Sequence, residues 1–457
     1  MAFADAVIAA NRFGFGAYPG ELERLSAHAR EALQEDIGRA GAEPATLISS
    51  GELLTRLGER TGTRRAAAGQ GQEPAAGVAM KPREIHLPAY LADVQERVRL
   101  ALLPQAGFHE RIVHFWSNHF AVSVDKPAVL GLAGCMEREA IRPHVNGRFA
   151  DLLTAVEQHP AMLLYLDNVR SMGPASRAAL RAAQRGREPG LNENLGREIL
   201  ELHTLGVGGG YGQDDVIALA KIISGWSVAG IGAAADEEPA GFRFRELLHE
   251  PGAQRLLGRR YAEDGLAQGE AALRNLARHA STARHLATKL ARHFIADDPP
   301  PAAVDALARA WLDSEGHLPT VYRALLARPE AWRETRTKFK TPSEYLISSY
   351  RLLEFPAPDG AALARMLDRL GQRPFQPASP AGWPDRSADW DGPAALLKRV
   401  EWAGQLVRGA RDRQAPLLAA AGWDAAPDSA SVLAIARAQD AVQGLTLLLA
   451  APEFMRR

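Results

Sequence analysis

Two predicted helices carry the histidine and glutamate side chains that could most readily do chemistry in this chain. The stretch 191–206 has the spacing of apolar residues that predicts one amphipathic helix. Glu198 and His203 fall inside its apolar arc, and Gly206 supplies a natural left-handed end. A carboxylate on a buried face costs several kcal/mol unless a partner compensates it. We therefore expect Glu198 to meet a cation, a metal ion or strong hydrogen-bond donors, unless the helix is less buried than its apolar pattern indicates.

The second helix is predicted over 108–120, and its apolar stripe ends in a histidine. The stripe consists of Phe108, Ile112, Phe115 and His119. His109-Glu110 followed by His114 resembles the helix motif of zinc proteases. Here the second histidine comes one residue late, which turns the two imidazoles about 140° apart on the helix. We reject the zinc-protease interpretation for that reason.

A divalent metal ion is the sharpest hypothesis for the inward-facing polar groups. Imidazole and carboxylate together are a reasonable ligand set for zinc, iron, manganese or copper. The predicted ligands of a mononuclear site are His119 from one helix and Glu198 and His203 from the other. The helical-wheel projection of 191–206 argues against a shared metal ion, because Glu198 and His203 project about 140° apart. The usual di-iron motif, Glu-x-x-His on two helices, is not met.

Further polar residues border this predicted site. The candidates are Glu201 or His159 as proton carrier, and Asn118, Asn194 and His249 as neighbouring polar groups. The alternative is structural. Glu198 could pair with an arginine, and His119 and His203 could be neutral core histidines bonded to backbone carbonyls. The possible arginine partners are Arg111, Arg138, Arg197 and Arg292.

Other signals for binding or catalysis are weaker. The glycine-rich stretch 206–212 precedes a helix and could hold an anion, but a helix–helix turn is the commoner use. Arg284, Lys289 and Arg292 could bind sulfate or phosphate esters, or they could form a solvated basic helix face. No Gly-x-Ser-x-Gly occurs, and no dinucleotide fingerprint follows a strand.

Composition excludes several function classes. The 457 residues have a formal net charge of zero, which gives no argument for nucleic acid or an anionic membrane. The single Cys135 excludes an internal disulfide and a cysteine-based metal site. No apolar run is long enough for a membrane span, and we see no signal peptide at the N-terminus. A cytoplasmic location is expected on these grounds.

The elements that must position these residues are mostly helices. We predict an all-α body with one small β-hairpin and long surface loops. The hairpin is expected near 241–261, where the alternating stretch from Gly241 would pair with 255–261. The predicted divisions are N-terminal helices over 1–60, a loop over 61–88, a helical core over 89–355, and C-terminal loops and helices over 356–457, with surface loops across 356–390.

Several short motifs are distributed along nearly the whole chain. The most specific is the central run from Asn192-Glu-Asn194 through Glu198-Ile-Leu-Glu-Leu-His-Thr-Leu-Gly206. The others are Asn11-Arg-Phe-Gly-Phe-Gly16, Phe115-Trp-Ser-Asn-His-Phe120, His159-Pro160, Leu166-Asp-Asn168, Gly225-Trp226, His249, Leu256-Leu-Gly258, Thr282-Ala-Arg284, Lys289-Leu290 and Pro452-Glu-Phe454. Together these motifs resemble the large bacterial family catalogued as domain of unknown function 1800.

The resemblance implies a mostly helical bacterial protein but supplies no reaction. Members are often encoded beside a sulfatase-like family, and many carry export signals. Two function classes therefore stay open. One is a metal-dependent oxidoreductase or hydrolase acting on a small or sugar-like substrate. The other is a non-catalytic binding or maturation partner of a sulfatase-like protein, which could be exported to the periplasm as a passenger on that partner.

Overall fold

Helices build the whole body of this protein in the computed structural model. The structure describes residues 2–69, 82–104, 107–187, 190–230, 239–410, 414, 418 and 429–457. Within these ranges it has 22 α-helices. They are α1 Ala2–Ile8, α2 Glu21–Leu25, α3 Ala29–Asp36, α4 Ser50–Gly69, α5 Pro82–Ala101, α6 Gly107–His119, α7 Ala133–Met136, α8 Phe149–Glu157, α9 Pro160–Tyr165, α10 Arg177–Ala183, α11 Asn194–Glu198, α12 Gln213–Ile222, α13 Leu266–Ala277, α14 Ala280–Phe294, α15 Pro301–Asp313, α16 Leu318–Leu326, α17 Pro342–Leu352, α18 Gly360–Leu370, α19 Pro393–Leu406, α20 Ala430–Ala436, α21 Ala441–Ala450 and α22 Pro452–Met455. The prediction of a mostly all-α fold is confirmed.

Short segments of other helix types interrupt the α-helices. Three π-helical turns occur in the described residues, at Ala9–Phe13, Glu137–Ile141 and Ile199–His203. The 3₁₀ turns lie at Arg142–His144, Asn168–Arg170, Glu246–Leu248, Pro329–Trp332, Ser387–Asp389 and Val407–Gly409. None of the described helices has the length and apolar character needed to cross a membrane.

The strands form two separate two-stranded sheets, so the predicted pairing of the hairpin is wrong. β1 Trp226–Ala229 pairs antiparallel with β2 Gly241–Phe244. β3 Gln254–Leu256 pairs with β4 Arg259–Tyr261, and the turn residues Leu257 and Gly258 both have positive φ. Two consecutive positive φ values suit a tight hairpin turn. β1 was missed because all four of its residues are buried, which removes the alternation that identifies a half-exposed strand.

Two of the predicted loops are partly helical. The expected loop over 61–88 is wrong at both ends, because α4 runs to Gly69 and α5 begins at Pro82, while 70–81 lie outside the described residues. Proline is well tolerated in the first turn of a helix, where its missing N–H costs nothing. Residues 356–390 contain the helix α18, which Asp359 caps by accepting from the N–H of Ala362. The division into domains stays a prediction.

An aromatic cluster joins α6 to α14 and orients both helices. The predicted apolar stripe of α6 is buried over its whole length. Phe294 at the end of α14 stacks on Phe13 and contacts Phe108, with ring centroids 5.6 Å apart in each pair. Trp116 donates to the Tyr322 hydroxyl over 2.8 Å. Aromatic pairs add to the burial of their area, so the two helices are held in one register.

The predicted central helix over 191–206 is two segments, α11 and the π-helical turn Ile199–His203. A π turn takes one more residue than an α turn, so it shifts the helical wheel after Ile199. His203 is fully buried as expected, but Glu198 is only half-buried. The lower burial of Glu198, which lies in α11 before the π turn, agrees with the alternative that this helix is less buried than its apolar pattern indicates.

Candidate functional site

A cavity lies between α6, α14 and residues 374–389, which we call the 374–389 loop. Its volume is about 490 Å³. The charged and histidine side chains on its wall are Arg97, Arg111, His114, His119, Lys289, Arg292, His293, Glu344, Asp385, Arg386 and Asp389. Five of these are cations and three are carboxylates. We call this cavity the central pocket.

Lys289 and His119 are in direct polar contact on the wall of the central pocket. Lys289 Nζ donates to His119 Nδ1 over 2.9 Å. His119 Nε2 donates to the backbone carbonyl of His203 over 3.2 Å. The two hydrogen bonds fix the tautomer, with the proton on Nε2 and a lone pair on Nδ1. Burial, followed by the charge of Lys289, holds the pKa of His119 well below its usual range.

Lys289 has a lower pKa than a lysine on the protein surface. Burial lowers the pKa of its ammonium group from 10.5 to about 8. Asp385 opposes this change and Arg292 adds to it. A fraction of roughly one-tenth of this amine is thus neutral at pH 7. Lysines with such depressed pKa values serve as bases and nucleophiles in enzymes.

Two further histidines on the same helix face lie one turn to either side of Lys289. His285 donates from Nε2 to the carbonyl of Leu202 over 3.1 Å, and burial lowers its pKa to about 4. His293 donates from Nδ1 to Asp385 over 3.1 Å, and burial lowers its pKa to about 4 as well. These imidazoles are neutral at pH 7, so they add no charge to the pocket.

Cations on and behind the wall already neutralise two of its carboxylates, Glu344 and Asp385. Burial alone would raise the pKa of Glu344, but Arg111 and Arg457 outweigh it and lower that pKa to about 2. Arg457 is 1% exposed, and its Nε lies 3.0 Å from the Glu344 carboxylate. Asp385 likewise has Lys338 at 3.6 Å and Arg457 at 3.9 Å. The pocket is therefore electropositive despite its three acids.

Lys289 and Arg292 are the cations on this wall best placed to meet a ligand. Within the described residues, neither has an ion pair with a carboxylate, and Arg292 donates from Nε to the carbonyl of Asp297. The other three cations are paired: Arg97 with Glu137, Arg111 with Glu344, and Arg386 with Asp298. Lys289 and Arg292 lie three residues apart on α14, so they share one side of the helix.

Asn118 holds the 374–389 loop against α6 by a reciprocal pair of hydrogen bonds. Its Nδ2 donates to the carbonyl of Trp383 over 2.9 Å, and its Oδ1 accepts from the N–H of Trp383 over 2.8 Å. Gly382 has φ +84° and approaches the Asn118 carbonyl so closely that a Cβ would clash with it. Asn118, which we predicted as a polar group bordering the site, lies on the wall of the central pocket and holds the 374–389 loop in place by hydrogen bonds.

Gly382→Ala should displace the 374–389 loop from α6 and destabilise the protein. The added Cβ clashes with the backbone of Asn118 and forces a residue with a side chain into the left-handed region, so we expect a loss of about 1–3 kcal/mol in the free energy of unfolding. The measurement is urea unfolding followed by tryptophan fluorescence. Gly404→Ala is the control, because its Cβ would meet only Thr446 at 3.9 Å. Equal stability of the two variants would contradict the close approach.

A comparison with protein families identifies the chain. The model of the family described as protein of unknown function DUF1800 matches residues 8–456. The chain belongs to the DUF1800 family. No curated protein and no solved structure matches it. Because the family description names no activity, the function of this DUF1800 protein must be argued from the central pocket.

The central motif of this DUF1800 protein supports the pocket from behind. The π turn Ile199–His203 ends with the carbonyls of Leu202 and His203, which accept from His285 and His119 respectively. Gly206 has φ +84°, and a Cβ there would lie 2.7 Å from His285 Nδ1. The motif thus contributes backbone oxygens and a close approach. Its side chains are not on the pocket wall.

His203 is paired with a carboxylate that the sequence analysis missed. His203 Nδ1 donates to Glu157 over 2.7 Å, and both side chains are fully buried. A signal for Glu157 was available, since it follows Phe149 and Leu153 at intervals of four residues on α8. The second Glu157 oxygen and His203 Nε2 have no hydrogen-bond partner in the described residues.

The other predicted site residues lie apart from the central pocket. Glu198 is half-buried with a pKa raised by burial, and Glu201 accepts from the Tyr211 hydroxyl over 3.4 Å. Asn194 is exposed at the start of α11. His159 accepts from the N–H of Ala161 at the start of α9, and it pairs with Glu139 at 3.2 Å. The structure therefore brings His119 and Asn118 to the pocket but leaves these four elsewhere.

His249 has a local structural contact. Its Nδ1 donates to the carbonyl of Ser224 over 2.9 Å, and its ring packs on Phe244. The predicted metal ligands are not assembled around one point: the rings of His119 and His203 are 6.1 Å apart, and both nitrogens of His119 are engaged. In the described part of the chain, no group of three or more His, Cys, Asp or Glu is placed to hold a metal ion. The metal site stays a prediction.

The two anion-binding hypotheses from the sequence have different outcomes. Arg284 is exposed and pairs with Asp305, so it belongs to a solvated helix face, whereas Lys289 and Arg292 line the central pocket. The start of α12 after the glycine-rich stretch is occupied by Asp215, which accepts from the N–H groups of Gly212 and Leu257. The carboxylate of Asp215 takes the place that an anion would need there.

Proposed function

We propose that this DUF1800 protein binds a small molecule carrying an anionic group in its central pocket. The observation that carries the proposal is that Lys289 and Arg292 face a cavity of about 490 Å³ with no carboxylate paired to either in the described residues. Cations kept without an internal partner at a cavity wall attract an external anion. The ligand would present a carboxylate, a sulfate or a phosphate.

The size and lining of the cavity support this proposal. Small-molecule sites in proteins occupy about 300–1,000 Å³ and combine an apolar lining with a few placed polar groups. Phe115, Val94 and Trp383 supply apolar surface next to the two cations. Charge-assisted hydrogen bonds from Arg and Lys to oxyanions are among the stronger polar contacts. The neutral histidines leave this electropositive character unchanged at pH 7.

Thermal unfolding in the presence of simple anions tests the proposal. We expect sodium sulfate, phosphate or glycolate to raise the unfolding temperature above that in sodium chloride of equal ionic strength, because ligand binding to the native state stabilises it. Arg292→Gln should weaken the effective anion about 10-fold or more, since a charge-assisted hydrogen bond contributes roughly 1.5–3 kcal/mol.

Arg284→Gln is the matched control for this experiment. Arg284 lies on the same helix, but it is exposed and paired with Asp305. Its removal should leave the anion-dependent gain unchanged. No gain with any anion in the wild type, or equal loss in both variants, would overturn the proposal.

The functions expected from the sequence and the resemblance stay predictions beside this one. A metal-dependent oxidoreductase or hydrolase would show a stoichiometric metal in protein purified without chelator. A role as partner of a sulfatase-like protein would need a stable complex between the two. The proposal of an anionic ligand depends only on Lys289 and Arg292 in the central pocket, so it is compatible with either of these functions.

A further inference from the structure

Lys289 differs from the other described lysines in the partner that it contacts. Lys126, Lys221 and Lys338 each have a carboxylate within ion-pair distance. Lys340 lies over the ring of Phe454, and Lys398 is exposed. Lys289 instead donates to the lone pair of a neutral histidine at the wall of a cavity. A carboxylate partner would hold a lysine as a cation, whereas a neutral base does not.

The base next to Lys289 is itself held in one orientation. His119 is 1% exposed, and its Nε2 is tied to the carbonyl of His203. Its ring packs edge-to-face on Trp116 and Phe120, with centroids 5.3 and 4.5 Å away. A nucleophile, a base within hydrogen-bond reach and a third group that orients the base are the usual parts of an activated nucleophile. Lys289, His119 and the His203 carbonyl supply these three parts.

We propose that Lys289 is a nucleophile that forms a Schiff base with an aldehyde or ketone whose carbon skeleton also carries an anionic group. This inference rests on the proposed function, because the anionic group is what Arg292 would bind. The substrate class is therefore a small carbonyl acid or a carbonyl compound bearing a sulfate or phosphate ester. His119 is the positioning residue that carries protons for Lys289.

The step is balanced without an oxidant or a reductant. The neutral amine of Lys289 attacks the carbonyl carbon, a C–N bond forms, and the carbonyl oxygen becomes an alkoxide. The attached nitrogen becomes acidic, and His119 Nδ1 is placed to take one of its protons and return it to the oxygen. His119 then passes the remaining N–H proton to the hydroxyl group as the C–O bond breaks, so that water leaves and a neutral C=N bond to Nζ remains. One water is released for each Schiff base formed.

Reductive trapping with a simple carbonyl acid tests the inference on the full chain. Glyoxylate is the probe, and sodium cyanoborohydride reduces any imine to a stable secondary amine. We expect the mass of one carboxymethyl group on Lys289, located by peptide mapping. Its rate should exceed that at the exposed Lys398 by about 10-fold or more, because only Lys289 has an adjacent base and an anion-binding neighbour.

Three variants separate the chemistry from the binding. Lys289→Arg keeps a cation but has no nucleophilic amine, so we expect it to lose trapping. His119→Phe keeps an aromatic ring in the same packing, and we expect slower trapping by about 10² with glycolate stabilisation retained. Lys398→Met should trap normally at Lys289. Circular dichroism verifies that each variant is folded before its rate is compared.

The outcomes distinguish this inference from the proposed function. Stabilisation by glycolate with trapping at Lys289 supports both. Stabilisation by glycolate with no selective trapping at Lys289 overturns the Schiff-base role and leaves the anion site standing. Absence of both in folded wild type overturns both. Unchanged trapping in His119→Phe would overturn the role of His119 alone.

Discussion

Glu344→Gln should destabilise the protein by about 3–5 kcal/mol, because it leaves buried guanidinium groups without their carboxylate. Arg111 and Arg457 are each 1% exposed and both pair with Glu344. The carboxylate also accepts from the N–H of Thr341 at the start of α17, where a capping box forms. Glutamine retains the shape of the side chain and can still accept from Thr341, but it removes the charge that compensates Arg111 and Arg457.

Urea unfolding at pH 7 measures the change, and Glu35→Gln is its control. Glu35 forms a surface pair with Arg39 in which both side chains are mostly exposed, so we expect a change within about 0.5 kcal/mol. A Glu344→Gln midpoint equal to that of Glu35→Gln would show that the network contributes no net stability.

The difference in unfolding free energy between wild type and Glu344→Gln should decrease at low pH. The pKa of Glu344 is lowered from 4.5 to about 2 in the folded protein. A carboxyl group with a depressed folded pKa contributes stability above its unfolded pKa and loses it as the pH falls through the folded value. The gap in unfolding free energy between wild type and Glu344→Gln should therefore hold from pH 7 to about 4.5 and shrink toward pH 2.

Glu157→Ala should have an effect of similar size on the opposite side of the pocket. Its carboxylate and His203 form a fully buried pair at 2.7 Å. Removing one partner of such a pair leaves the other without compensation, at a cost of about 3–5 kcal/mol. Glu157→Gln preserves an oxygen that can accept from His203 Nδ1, so its cost should be smaller, about 1–2 kcal/mol.

Thermal and urea unfolding distinguish the two substitutions, with Glu52→Ala as the matched control. Glu52 forms an exposed helix pair with Arg56, and its loss should change the unfolding free energy by only about 0.5 kcal/mol. If Glu157→Ala and Glu52→Ala behaved alike, the sealed pair would contribute nothing to stability. The backbone carbonyl of His203 orients His119. Glu157→Gln can keep the hydrogen bond to the His203 side chain and so keep this carbonyl in place. We therefore expect a folded Glu157→Gln variant to retain normal trapping at Lys289.

The predictable part of the site came from helical periodicity. The stripe that ends at His119 was recognised from its spacing, and all four members are buried. Lys289 and Arg292 were named together with Arg284 as residues that could bind sulfate or phosphate esters or form a solvated basic helix face. Periodicity works for α6 because it is a regular helix whose faces repeat at a constant angle along its whole length.

The same reasoning failed where the backbone departs from a regular helix. The π turn at Ile199–His203 shifts the phase of the residues after Ile199, and the groups that contact the histidines of α6 and α14 are the backbone carbonyls of Leu202 and His203. Every residue has a backbone carbonyl, so the residue types do not show which carbonyls accept hydrogen bonds from histidine side chains. The role of a carbonyl as the partner of a histidine emerges only from the packed structure.

The sequence alone determined the helical class, the family and the buried stripe of α6, because these follow from local spacing and from motifs along the chain. Tertiary structure decided the site. His119 and Lys289 are 170 residues apart, and Asn118 is 265 residues from Trp383. Contacts at such separations form only when distant helices pack, since no local rule relates the directions of their side chains. The central pocket, its unpaired cations and the buried Glu157 are products of that packing.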